Sequence, residues 1–259
     1  MSDDILLAED RGHVRYLTLN RPEVRNALNR DLNDRLVDAV IEADHTPEVY
    51  AIAITGAGSA FCSGADLKDA RDLAAAGKPF YGPLHNNRRS LMEVLIDSRK
   101  PTLAIINGPA MAGGFELALS CDMRIAAEDS VFGVPEAKRG RGAHFASVLL
   151  PTTVPPGIAM EWLYTGRRIA ATELERWGLL NRLVPGDQLE AAATAVLDDV
   201  VASAPLSLQR LKLTYRKTAG MSPHAAIRLD TGPDVYLSED QKEGARAFLE
   251  RREPQWQGR

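Results

Sequence analysis

Apolar and polar residues alternate with two different periods along this 259-residue chain, and the changes of period mark out its elements. Across residues 13–20 (HVRYLTLN) the apolar side chains recur at every second position, as in a strand with one buried face, and Asn20-Arg21-Pro22 ends the run. Asn29 then offers a side-chain cap to a helix in which Leu32, Leu36 and Val40, with the adjacent Val37 and Ile41, form an apolar stripe. Residues 50–55 (YAIAIT) are nearly all apolar, the pattern of a strand covered on both faces, and Gly56-Ala57-Gly58-Ser59 supplies a turn. Residues 102–107 repeat that pattern ahead of Gly108, and 123–127 and 180–184 give two further strands. Strands regularly separated by helices predict an α/β layered domain.

From about residue 187 the chain becomes strand-poor, with helical patterns at 187–203, 206–219 and 240–252. The predicted organisation is therefore an α/β core over 1–186 and a helical C-terminal subdomain over 187–259. The least regular stretch is 68–89. There Ala74-Ala75-Ala76-Gly77 ends a helix and the breaker-rich 78–83 (KPFYGP) forms a loop, a candidate mobile wall for a binding pocket. No low-complexity segment or solenoid-type repeat interrupts the chain.

Composition narrows the class. Apolar residues make up 45% and charged residues 25%, so a disordered or collagen-like chain is excluded. The net charge of −4 argues against a protein built to neutralise phosphate backbones, and no nucleic-acid partner is expected. The acidic Met1-Ser2-Asp3-Asp4 start lacks the pattern of an export signal, and no apolar run approaches membrane-spanning length. A soluble cytoplasmic protein with no membrane partner is the expectation. Cys62 and Cys121 lie in apolar surroundings and read as buried reduced thiols. The five histidines form no HxxxH or HxH pair, so no metal site is expected.

Candidate chemistry lies in two turns of small residues that follow buried strands, Phe61-Cys62-Ser63-Gly64-Ala65-Asp66-Leu67 and the stretch 107–117 (NGPAMAGGFEL). Small residues let a ligand approach the backbone. Gly113-Gly114 at the start of a helix over 115–120 would present unpaired amides where negative charge is favoured. Glu116 sits one turn into that otherwise apolar helix, where a solvated charge is out of place. Glu136 follows Gly133-Val134-Pro135 twenty residues later. Two carboxyl groups flanking one water can act as base and acid if their environments differ.

In this order and spacing the segments resemble the crotonase (enoyl-CoA hydratase/isomerase) superfamily, from about residue 14 to the C-terminus. The resemblance is strongest in Asn20-Arg21-Pro22, 61–67, 100–126, 131–136 (VFGVPE) and 244–256. It implies a crotonase-like spiral of ββα units whose helical C-terminal subdomain serves oligomerisation, as a homo-oligomer, trimer or hexamer. It implies an acyl-CoA thioester substrate, with coenzyme A entering as part of that substrate and no permanently bound cofactor. The amides of Ala65 and Gly113 then form an oxyanion hole, and Glu116 and Glu136 are the catalytic pair of a 2-enoyl-CoA hydratase. Glu116 would activate water and Glu136 would deliver the α-carbon proton. Ser63, Ala65, Asp66 and Leu67 match the stretch that cradles adenine, although Asp66 also reads as the cap of the helix starting at Leu67. Arg25 and Lys68 match basic positions near the nucleotide phosphates, and Arg251 matches one on the C-terminal helix.

One segment departs from the family. After Glu136 the hydratases run through a glycine-rich turn, whereas this chain has Ala137-Lys138-Arg139-Gly140-Arg141-Gly142-Ala143-His144-Phe145-Ala146-Ser147. His144 stands where glycine is expected, and bulk or charge there could narrow the pocket, shift Glu136 or contact a polar acyl group. The departure keeps open an isomerase, a decarboxylase or a carbon–carbon lyase acting on a CoA thioester. A catalytically silent acyl-CoA binder is disfavoured by the two glutamates, and an RNA-binding module by the acidic charge.

Overall fold

A computed structural model describes residues 4–77 and 89–259. Its main sheet has six strands, in the order β1 (Leu6–Arg11), β2 (Val14–Leu19), β3 (Ala51–Gly56), β4 (Thr102–Ile106), β6 (Met123–Ala127) and β9 (Arg182–Val184). From β2 onward every neighbour is parallel, and β1 pairs antiparallel on the edge. A small second sheet joins β5 (Ala110–Met111), β7 (Val131–Gly133) and β8 (Ile169–Ala170).

Helices cross between the parallel strands, as parallel connections require. They are α1 (Arg30–His45) after β2, α2 (Leu67–Ala75) and α3 (Leu91–Asp97) after β3, and α4 (Gly113–Ser120) after β5. Asn29 caps α1 as its sequence predicts, its side chain accepting from the Leu32 amide at 2.9 Å. The pocket-wall loop expected over 78–83 lies outside the described residues.

The side chains of β3 show why its run is almost wholly apolar. Ile52 and Ile54 enter a large core with Leu32, Leu36, Leu91 and Phe115, while Ala51 and Ala53 face the other side of the sheet. That other side is covered by α8 (Leu189–Val201) through Leu189, Ala193 and Leu197. The first helix of the expected C-terminal helical subdomain thus packs on the sheet of the α/β core. Small alanines on that face of β3 leave room for the helix.

The chain between the second sheet and α8 folds as α5 (His144–Thr153), α6 (Pro156–Thr165) and α7 (Ala171–Arg176). Beyond α8 come α9 (Pro205–Thr218), α10 (Pro223–Ala226) and α11 (Glu239–Glu250). Helix α9 is fastened by buried Lys212, whose Nζ donates to the Lys100 carbonyl and pairs with Asp122, both at 2.7 Å. The C-terminal tail folds back on α11, where Asp240 accepts from the amides of Gln257 and Gly258 and Glu243 pairs with Arg246 and Arg252. Leu211, Tyr215, Ile227, Tyr236, Leu237 and Phe248 in this region are exposed. Among the described residues no single helix is long and apolar enough to cross a membrane.

Candidate active site

The two small-residue turns meet because the backbone threads one between the other and the start of the chain. Leu28 donates to the Gly64 carbonyl and accepts from the Asp66 amide, while Cys62 donates to the Pro109 carbonyl and accepts from the Met111 amide. Fully buried Asn26 supports this arrangement, donating from Nδ2 to the carbonyls of Ala57 and Ala60. Glycine is required at two points of contact. Gly64 has φ +90°, and a methyl on it would lie 2.8 Å from the Met111 carbonyl oxygen; one on Gly114 would lie 2.1 Å from that of Cys62. Ala112 takes the left-handed region at φ 52° immediately before α4, a conformation that costs a non-glycine residue about 1–3 kcal/mol.

That geometry leaves the amides of Ala65 and Gly113 side by side: a methyl built on Gly113 would sit 3.8 Å from the Ala65 nitrogen. Neither amide has an acceptor among the described residues. Gly113 also opens α4, so the positive end of that helix points at the same place.

Glu116 and Glu136 flank the same cavity, a cleft of about 1220 Å³ that Ala65 and Gly113 also line. Their surroundings differ. Glu116 is 8% exposed, and its Oε1 accepts from the amides of Phe145 and Ala146, each at 3.0 Å. These are unpaired donors of the first turn of α5, so one helix supplies the carboxylate and another holds it. Burial pushes the Glu116 carboxyl up, partly offset by the two amides and by His144 nearby.

Glu136 lies in a short 3-10 turn, Pro135–Arg139, whose backbone is pressed by the end of α6: a methyl on Gly166 would sit 2.9 Å from the Pro135 Cα. Its side chain is not tethered in that way. Oε2 is buried with no hydrogen-bond partner among the described residues. Burial, reinforced by the charge of Glu116, pushes its carboxyl up to about 7, against the pull of its own backbone amide and of Arg139 and Arg141.

Ser63, Asp66 and Leu67 line the cleft. The Asp66 carboxylate is occupied structurally: it accepts from the amides of Lys68 and Asp69 at the start of α2 and pairs with Arg21 at 3.0 Å. Of its two expected roles, the cap is the one its contacts fill. Arg25 and Lys68 are exposed and lie next to the cleft without lining it, Arg25 receiving the Ser63 amide on its carbonyl. Arg251 closes α11 in a left-handed conformation and does not line the cleft within one chain.

Sequence reasoning placed Val37 and Ile41 on the apolar stripe of α1. Val37 is half-buried against the core and also lines the cleft, while Ile41 is exposed and adds to the cleft's apolar wall. It also missed the Phe145 and Ala146 amides, for which no side-chain signal exists. Of the atypical run after Glu136, Arg139, Arg141 and His144 line the cleft and Lys138 does not. Burial pushes the Cys62 and Cys121 thiols up to about 12, so both are inert. No group of His, Cys, Asp and Glu able to hold a metal ion occurs among the described residues.

Comparison with known proteins gives a consistent pattern. The family model described as enoyl-CoA hydratase/isomerase matches residues 9–259. The enoyl-CoA hydratase EchA19 of Mycobacterium tuberculosis is 38% identical, covering 98% of this chain and 96% of that protein. The carnitinyl-CoA dehydratase of Salmonella heidelberg is 39% identical over the full length of both. Among solved structures, an enoyl-CoA hydratase from Mycobacterium tuberculosis H37Rv superposes with a TM-score of 0.88 at 34% identity, covering 98% of this chain and 99% of the other. One from Bacillus anthracis gives 0.87 at 29% identity, over 99% of this chain and all of the other.

Proposed function

Because the chain belongs to the enoyl-CoA hydratase/isomerase family, we propose that it is an enoyl-CoA hydratase, adding water across the double bond of a 2-enoyl-CoA. The observation that carries this reading is one cavity holding two unpaired amides and two glutamates in unlike surroundings.

The thioester oxygen lies between the amides of Ala65 and Gly113. Ionised Glu116 takes a proton from water as the water oxygen bonds to the β-carbon. The π electrons move toward the thioester oxygen, where each fixed amide stabilises the developing charge by about 3 kcal/mol. Protonated Glu136 delivers its proton to the α-carbon as the carbonyl re-forms. Glu116 finishes protonated and Glu136 ionised, and exchange of one proton with solvent resets the pair. The unlike seats suit this division: two amides of another helix favour the charged form of Glu116, whereas Glu136 has its own backbone amide and a buried Oε2 with no partner among the described residues. Carnitinyl-CoA dehydratase, the named activity of one relative, runs the same bond change toward water loss.

Coenzyme A enters as part of the substrate, with no permanently bound cofactor. Ser63, Ala65 and Leu67 take the adenine, and Arg25 and Lys68 the phosphates from the rim. Asp66 acts indirectly by capping α2, and Arg251 contributes only if a neighbouring chain brings it to the cleft. A cytoplasmic homo-oligomer, trimer or hexamer, assembled through residues 187–259 is part of the proposal. The exposed apolar side chains of α9 and α11 support it, and light scattering after gel filtration tests it.

The decisive experiment is hydration of crotonyl-CoA, followed by loss of enoyl absorbance, in the wild type and in Glu116→Gln and Glu136→Gln. Turnover in the wild type and a fall of about 100-fold or more in each variant are expected. Undiminished turnover in either variant contradicts the two-glutamate mechanism, and an inactive wild type removes the hydratase reading in favour of another reaction on the same thioester.

A further inference from the structure

The cleft wall beside the glutamates is basic. Arg139, Arg141 and His144 all line it, while Lys138 of the same run does not. Arg139 and Arg141 act electrostatically on Glu136, and His144 does so on Glu116, so each carboxyl has a basic neighbour. The Arg139 side chain makes no hydrogen bond or ion pair among the described residues, and the His144 ring has no hydrogen-bond partner among them either. Arg139 and the His144 ring donate to neither glutamate.

A bound thioester changes the balance. The acyl chain displaces water from the wall, and a guanidinium that loses water without gaining an anion is destabilised. An aliphatic acyl chain offers it nothing, and a cationic one repels it. A carboxylate on the acyl chain would be received by planar guanidinium donors in charge-assisted hydrogen bonds.

Resting on the hydratase reading for the position of the thioester, we propose that Arg139, Arg141 and His144 form a subsite for an anionic acyl group. The preferred substrate is then a 2-enoyl-CoA whose acyl chain ends in a carboxylate, the monothioester of an unsaturated dicarboxylic acid. The thioester end is fixed by Ala65 and Gly113, the reacting carbons by the glutamates, and the distal carboxylate by the basic wall.

The test compares two six-carbon substrates that differ only at the distal end, trans-2-hexenoyl-CoA and trans-2-hexenedioyl-CoA, at fixed ionic strength. The expected kcat/KM favours the dioyl thioester by about tenfold or more, the scale of one or two hydrogen bonds to a charged group. In Arg139→Gln and in the Arg139→Gln/Arg141→Gln double variant that ratio should fall toward one. The ratio is the readout because any change in Glu136 acidity or in coenzyme A binding acts on both substrates alike. A wild-type preference for hexenoyl-CoA, or a dioyl preference that survives the double variant, overturns the subsite. Calorimetric Kd values for the saturated pair, hexanoyl-CoA and adipoyl-CoA, keep the outcomes apart. If neither enoyl thioester turns over, the hydratase reading falls while tighter adipoyl-CoA binding, lost in the double variant, still supports the subsite. Equal Kd values overturn it whatever the turnover.

Discussion

Glu116 and Glu136 face one cleft, but one carboxylate is held by a second helix and the other only by its own turn. Glu116 rises from α4 and is received by two amides at the head of α5, so its position is fixed from both ends. Glu136 is carried on a short turn packed closely against Gly166, and its buried Oε2 has no partner among the described residues. Hydrogen bonds to a carboxylate favour its charge, and burial without them favours the proton. Two residues of one type are thereby separated into a base and an acid by what surrounds them.

The largest expected effect comes from removing either charge. Glu116→Gln and Glu136→Gln should each lower kcat by about 10²–10⁴. The comparison breaks if one of them leaves kcat intact. Gly64→Ala attacks the frame that both glutamates share. At φ +90° and 2.8 Å from the Met111 oxygen, a methyl must displace the Ala65 turn, so kcat should fall by about 10²–10³, as when one oxyanion donor is lost. Denaturant unfolding should show a simultaneous loss of about 1–3 kcal/mol.

Stability against pH is the next and smaller contrast. The folded Glu136 carboxyl sits at about 7 against an ordinary 4.5, so between those values the folded state holds more protons than the unfolded state. Stability therefore declines as pH rises through that window. Glu136→Gln removes the penalty and should be stabilised relative to wild type at pH 8 by up to about 3 kcal/mol, with little difference at pH 4. Glu116→Gln should gain less, because it gives up the charge in its two amide hydrogen bonds. Equal gains in urea unfolding would mean that the tether does not distinguish the two. The smallest effect belongs to Arg139→Gln. Losing a cation that pulls the Glu136 carboxyl down should move the alkaline limb of the crotonyl-CoA pH profile upward by a few tenths of a unit, on the scale of a partly screened charge.

Much of the frame is legible in the sequence because its causes are local. The Asn29 cap, the all-apolar β3 and β4 runs and the glycines opening α4 each follow from neighbouring residues. Strand β1 is not legible, since only Leu6 of its six residues is buried and an edge strand in solvent carries no alternation. Placing α8 on the sheet needed the pairing of Ala51 and Ala53 with Leu189, Ala193 and Leu197, which lie far along the chain. At the site, the apolar helix around Glu116 marks that residue as unusual. Its tether cannot be read, because backbone amides at residues 145 and 146 leave no trace in side-chain identity. Likewise the basic run after Glu136 is visible, but only the fold separates Arg139 and Arg141, which line the cleft, from Lys138, which does not.

The contrast between the two seats is tested most directly by carboxyl-carbon NMR of protein labelled at glutamate, titrated from acid to alkaline pH. The Glu136 resonance, assigned by its absence from Glu136→Gln, should titrate at about 7. A Glu136 resonance that titrates near the ordinary 4.5 would contradict the account, because the turn would then hold no proton to deliver at neutral pH.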